Sequence, residues 1–156
     1  MTWKLHLRIH PLAVQATAIL ALCLSAGTLS AEDSVHPVKM SKEQIAGKIF
    51  EDYEPLVHER NGNTTRDVEV FRTKNGQFDA GMYTSGKVRF ETNEPYGVNE
   101  YMHFLEGGVT LTSSDGTVTE VRAGDSVVIP AEWTGVWDTD GYTKIYVIYS
   151  PDGPIE

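Results

Sequence analysis

From Asp67 onward the chain alternates apolar and polar residues between short turn signals, and few folds accept that pattern. Asp67 to Lys74 (DVEVFRTK) sets Val68 and Val70 opposite Glu69 and Phe71. Asn75-Gly76 is a hairpin signal, and Gln77 to Thr84 returns. Ser85-Gly86 turns the chain into Lys87 to Thr92. Tyr101 to Thr112 and Thr117 to Arg122 flank Asp115-Gly116, a second strong hairpin signal. Ala123-Gly124-Asp125 leads into Ser126 to Ile129. Trp133 to Asp138 and Tyr142 to Tyr149 flank Asp140-Gly141, read as a further turn. About eight strands with turns every 8 to 12 residues predict an all-β domain, a barrel or a sandwich.

The upstream sequence has a different period. Ser41 suits a helix N-cap, and Gln44 three residues on completes a capping box. Met40 and Ile45 occupy the staple positions, and Ile45, Ile49 and Tyr53 fall on one helical face beside Phe50. Pro55 is expected to end this helix, whose apolar stripe would cover one end of the barrel. Before it, Lys4 and Arg8 precede a short apolar run at residues 12–24, and Ser30-Ala31 follow. That is the order of a secretory signal, too short for a comfortable membrane span. Cleavage is expected after Ala31, with Ala26 as a second site. The predicted organisation is a signal over 1–31, a lead and helix over 32–60, a barrel domain over 61–150 and a tail over 151–156. The expected location is the periplasm or the exterior.

Charge narrows the functional classes. The chain has 13 basic and 22 acidic side chains, a net charge of −9, and residues 1–31 hold two of the bases and none of the acids. The processed chain would therefore carry −11. Such a surface repels phosphate backbones and anionic lipid, so neither nucleic acid nor membrane is an expected partner. The single cysteine, Cys23, lies in the apolar run, so the processed chain would form no disulfide.

The residues from Glu100 to Trp137 carry a further resemblance. Glu100 to Gly107 (EYMHFLEG) is similar to the later part of the first motif of the cupin superfamily. Gly124-Asp125, Val127-Val128-Ile129 and Pro130 are similar to the second. Where metal-binding cupins carry histidines, this chain has Glu94, Tyr96 and Gly135, and Glu132 replaces a glycine. Ile129-Pro130-Ala131-Glu132-Trp133-Thr134-Gly135-Val136-Trp137, with Leu111-Thr112 and Asp115-Gly116, more closely resembles the single-domain branch of the (S)-ureidoglycine aminohydrolase cupins. The resemblance spans about residues 67–150. It implies a jelly-roll barrel with a ligand bowl, a small polar metabolite as partner, and a homodimer.

Glu100 is the candidate catalytic residue. The resemblance aims it into the bowl, where a carboxylate among apolar strands is desolvated unless a cation pairs with it. It would serve as acid or base, as a metal ligand, or as a structural group bonded to tyrosines or Lys144. If it is isolated, Glu100→Gln should leave stability equal or slightly higher. Tyr83, Tyr96, Trp133, Trp137, Lys144 and Tyr146 are the candidate ligand-binding residues. Trp133 and Trp137 share a strand face in this reading, with Gly135 between them leaving a slot walled by two indoles. Lys144 and Tyr146 look the same way, into the bowl or out of it. Arg89 fits a solvated surface position better than an anion site. A catalytic metal usually takes three protein ligands. Glu94, Tyr96 and Glu100 are a thin set, and His103, an odd number of residues from Glu100, belongs to the opposite face. No cofactor is expected, a divalent metal being the weaker alternative. The bowl is read as an enzyme site or as a sugar or small-ligand site without catalysis, with a purely structural dimer as the third reading.

Overall fold

A computed structural model describes residues 35–155. The signal segment, its cleavage sites and Cys23 lie outside the described residues. Eight antiparallel strands form one sheet: β1 (Leu56–Arg60), β2 (Asn63–Arg72), β3 (Phe78–Ser85), β4 (Val88–Thr92), β5 (Asn99–Ser113), β6 (Val118–Arg122), β7 (Ser126–Ile129) and β8 (Gly135–Tyr149). The main path runs β1-β2-β3-β8-β5-β6, with β4 also on β8 and β7 also on β5. This is the predicted all-β jelly-roll barrel.

Two long strands, β5 and β8, form its spine and pair with each other from end to end. The other edge of β8 takes β3 along Tyr142–Tyr149 and β4 along Gly135–Thr139. The Asp140-Gly141 turn expected from the sequence is therefore not a hairpin. It is a bend inside one continuous strand, steadied by Thr139 Oγ1, which donates to the Gly108 carbonyl (2.6 Å) and accepts from the Gly141 amide (2.9 Å). Gly107, with φ 66°, faces this bend across β5, and a Cβ there would run into the Gly141 carbonyl. Glycine thus lets both strands turn the same corner. The sequence reading also missed β1. Asn61 (φ 52°) and Gly62 (φ 78°) form a two-residue turn that pairs Arg60 with Asn63, the geometry that Asn-Gly favours.

The sheet has two apolar faces. Inside lie Met102, Phe104, Val109, Leu111, Val121, Ile129, Trp137 and Tyr142. Outside, Ile49 and Phe50 cover Val68 and Met82, with Met40, Ile45, Leu105 and Ile145 packed around them. The helical segment therefore lies on the outer face of the sheet rather than over an end of the barrel. Its capping box forms as expected: the Ser41 amide donates to Gln44 Oε1 (2.8 Å), and the Gln44 amide to Ser41 Oγ (3.2 Å). The segment is not one regular helix. Gln44–Lys48 is a π-turn kinked at Gly47 (φ 111°), and Ile49–Asp52, α1, continues it as a short α-helix. Tyr53 is already extended and exposed, so it does not join the buried stripe. Arg66 of β2 clasps the segment by donating to the Phe50 carbonyl (2.9 Å) and lying over the Phe50 ring (5.2 Å).

Candidate functional site

Alternation along β8 points Tyr142, Lys144, Tyr146 and Ile148 inward and Ile145 outward beneath the helical segment. The cross-strand register sets Tyr83 of β3 beside Lys144, and Asp67 of β2 beside Tyr83. On the other side, β5 brings Glu100 against Ile148. Phe90 of β4, Tyr96 of the loop before β5, and Trp137 complete the wall of a cavity of about 270 Å³. This lies just below the range of drug-sized pockets, so it suits a small ligand. A wider groove of about 1050 Å³ adjoins it, sharing Tyr83, Phe90 and Tyr142, and runs between the β1–β2 hairpin and β4.

At the base of the cavity, Glu100 is 2 % exposed and Lys144 5 %. Lys144 Nζ donates to Glu100 Oε1 (2.6 Å), and Tyr96 Oη donates to Glu100 Oε2 (2.6 Å). Both carboxylate oxygens are thus engaged. The ammonium also meets Met102 Sδ (3.1 Å) and lies 5.4 to 5.6 Å from the ring centres of Tyr83, Trp137 and Tyr142. Three π-faces and one carboxylate hold this charge where water does not. The isolated carboxylate considered from the sequence is not what the fold builds. Glu100→Gln would leave a buried ammonium without its counter-ion, so the expectation of equal or higher stability is reversed.

Asp67 is the second carboxylate of the bowl. It accepts from Tyr146 Oη (2.9 Å), and burial, opposed by Tyr146 and Lys144, raises its pKa. The Tyr96 phenol is held well above its usual pKa by burial and the Glu100 charge, and that of Tyr146 by burial and the Asp67 charge. Burial also raises Tyr83 and Tyr142. All four phenols are therefore held in the un-ionised form.

Six of the seven candidate site residues meet at this cavity: Tyr83, Tyr96, Glu100, Trp137, Lys144 and Tyr146. Trp133 does not line it. It precedes β8, donates from Nε1 to Ser113 Oγ (3.1 Å) and packs edge-on to Tyr96. The slot between two indoles is absent: a Cβ on Gly135 would stand 2.9 Å from Trp133 Cζ2 and clash with the Thr112 carbonyl. The space is filled by the Trp133 ring itself. Trp137 stacks instead on Phe90 (5.9 Å, 11°). Arg89 is exposed and lies 3.5 Å from Asp138. Asp67, Phe90, Tyr142 and Ile148 were not foreseen. Period two on β8 could have added Tyr142 and Ile148 to Lys144 and Tyr146, whereas nothing near Asp67 signals its direction.

The metal that this fold often holds does not fit these residues. Glu94 is exposed, no side chain can grow from Gly135, and both Glu100 oxygens are bound to Lys144 and Tyr96. His103 lies on the other face, hydrogen-bonded to Ser126 (2.9 Å). Among the described residues no group of three or more His, Cys, Asp or Glu could hold a metal ion.

Comparison with known proteins agrees with this architecture. Residues 72–146 match the family described as EutQ-like cupin domain. No curated protein matches the chain. Among solved structures, a protein of unknown function of the DUF861 family from Pseudomonas syringae pv. tomato is similar at 20% identity and TM-score 0.52. The match covers 62% of this chain and 42% of that one. The EutQ protein of Clostridium difficile is similar at 19% identity and TM-score 0.49, over 59% of this chain and 73% of that one. The Cnp3 cupin domain of Schizosaccharomyces pombe is similar at 10% identity and TM-score 0.48, over 61% and 68%. At 20% identity, the likeness to the Pseudomonas syringae protein speaks for the fold alone. The EutQ-like match is also a coarser placement than the ureidoglycine-aminohydrolase branch whose motifs the sequence resembles.

Proposed function

Starting from a cupin-fold chain related to the EutQ-like cupins, we propose that the bowl binds a small polar, nitrogen-containing metabolite of the kind handled by ureidoglycine-aminohydrolase-like cupins. One observation carries this reading: a buried Tyr96–Glu100–Lys144 chain stands at the base of a small aromatic cavity. A barrel that needed only stability would do as well with apolar residues there, because burying two charges is costly. Both Glu100 oxygens are occupied, which favours binding over turnover. In the second reading the metabolite is also processed, with Glu100 as acid and base. Its support is the same short chain, in which Lys144 and Tyr96 can pass protons to Glu100 over 2.6 Å each. Export through the N-terminal segment belongs to this proposal and rests on its charged start and short apolar run.

The test is a thermal-shift and ammonia-release screen of amines, amides and ureido compounds, repeated with Ile148→Phe. That substitution puts bulk into the cavity from its wall and spares the ion pair. Binding compounds should raise Tm in the wild type and fail to do so in the variant. Hits that bind both proteins equally would move the site elsewhere. Ammonia release blocked by Ile148→Phe would decide for turnover.

A further inference from the structure

The charges of the bowl do not cancel. Glu100 and Lys144 neutralise one another at 2.6 Å. Asp67, on the facing strand, has only the Tyr146 hydroxyl on Oδ1, and among the described residues nothing hydrogen-bonds its other oxygen or pairs with it as a cation. Its chain neighbour Arg66 is turned to the outer face, where it holds Phe50. Lys87 and Arg89, in the groove beyond the mouth, are matched with Asp140 and Asp138. The cavity therefore keeps one carboxylate without a counter-charge. Most of its remaining wall is the rings of Tyr83, Phe90, Tyr96, Trp137 and Tyr142. Ring faces attract cations and offer nothing comparable to anions. Three of them already surround Lys144 Nζ, which shows that the wall presents faces and not only edges to a positive charge.

We propose that the ligand of the bowl is a small organic cation, an ammonium compound whose charge lies against the open oxygen of Asp67 while its carbon skeleton packs on the Phe90–Trp137 stack. The inference rests on the bowl reading above and narrows it to one charge class. An anionic ligand would meet Asp67 as a like charge, and the charge of Lys144 is already neutralised by Glu100. A neutral ligand would leave Asp67 uncompensated. Asp67 is thus the specificity-determining residue, distinct from the Glu100–Lys144 base.

Three compounds of one skeleton test this by titration calorimetry: 3,3-dimethylbutylamine as cation, 3,3-dimethylbutan-1-ol as neutral isostere and 3,3-dimethylbutanoate as anion. The amine should bind at least about tenfold more tightly than the alcohol, about 1.4 kcal/mol, with the carboxylate weakest. Asp67→Asn keeps the shape and removes the charge, so the preference should fall below about threefold while the alcohol binds as before. An alcohol or carboxylate that binds as tightly as the amine overturns the inference, as does a preference that survives in Asp67→Asn. The order among the three compounds on the wild type decides the matter even if the variant fails to fold. Failure of all three to bind also overturns the inference. The bowl reading itself falls only if the wider screen yields no compound blocked by Ile148→Phe.

Discussion

At the scale of single residues, the bowl is governed by two carboxylates in different circumstances. Glu100 is held by an ammonium and a phenol, and Asp67 by a phenol alone. Lys144→Met should cost about 3–5 kcal/mol in urea unfolding, because it strands a buried carboxylate. Adding Glu100→Gln should restore much of that loss, and a double variant as unstable as the single one would deny the pairing. Asp67 gives a pH signature of opposite sense to that of a salt-bridged acid. Its pKa is raised by burial and by Glu69 and Glu100, against the pull of Tyr146 and Lys144. The folded chain then holds this proton more tightly than the unfolded one, so the group costs stability as pH rises through and above the unfolded value. Asp67→Asn removes that cost, and its Tm should gain on the wild type as pH rises above about 4. A gap that narrows as pH rises would contradict the assignment. Cation binding should weaken as pH falls over the same range, since the proton competes for the same oxygen.

At the scale of elements, the parts legible in the sequence are those with local rules. The capping box of Ser41 and Gln44, the Asp115-Gly116 turn and the shared face of Lys144 and Tyr146 all follow from short-range spacing. Ser41→Ala should cost about 1 kcal/mol and speed amide exchange in residues 44–52, leaving the barrel unaffected. What was hidden depends on distant partners. Asp140-Gly141 has the composition of a turn, yet β5 holds it in a strand through Gly108. The direction of Asp67 is fixed by Tyr83 and Tyr146, far along the chain. Trp133 and Trp137 have strand spacing, but the Pro130 step delays β8 until Gly135, and the first indole fills the place the glycine vacates. Gly107→Ala tests the corner. Its Cβ would strike backbone that cannot yield without unpairing β5 from β8, so the loss should exceed about 1 kcal/mol. A neutral result would mean that the corner is softer than its geometry.

At the scale of the molecule, β1 is the outermost strand of its side, and all five of its residues are exposed, Leu56 and Val57 among them. Unprotected edges of this kind pair readily with other strands. The expected homodimer is proposed to form there, so Val57→Pro should shift sedimentation from dimer to monomer without loss of the barrel. A dimer that persists in the variant would place the contact elsewhere. The position of β8 has a different consequence. It follows β3, β4 and β5 in the chain, yet all three pair with it, and it supplies five side chains to the cavity. A chain still emerging from the ribosome has its strands but lacks the one that joins them, and contacts so distant in sequence form slowly. The barrel cannot close until β8 has been made. A polypeptide that has to thread a membrane before it folds would gain from that delay, because its stable form cannot arise ahead of β8.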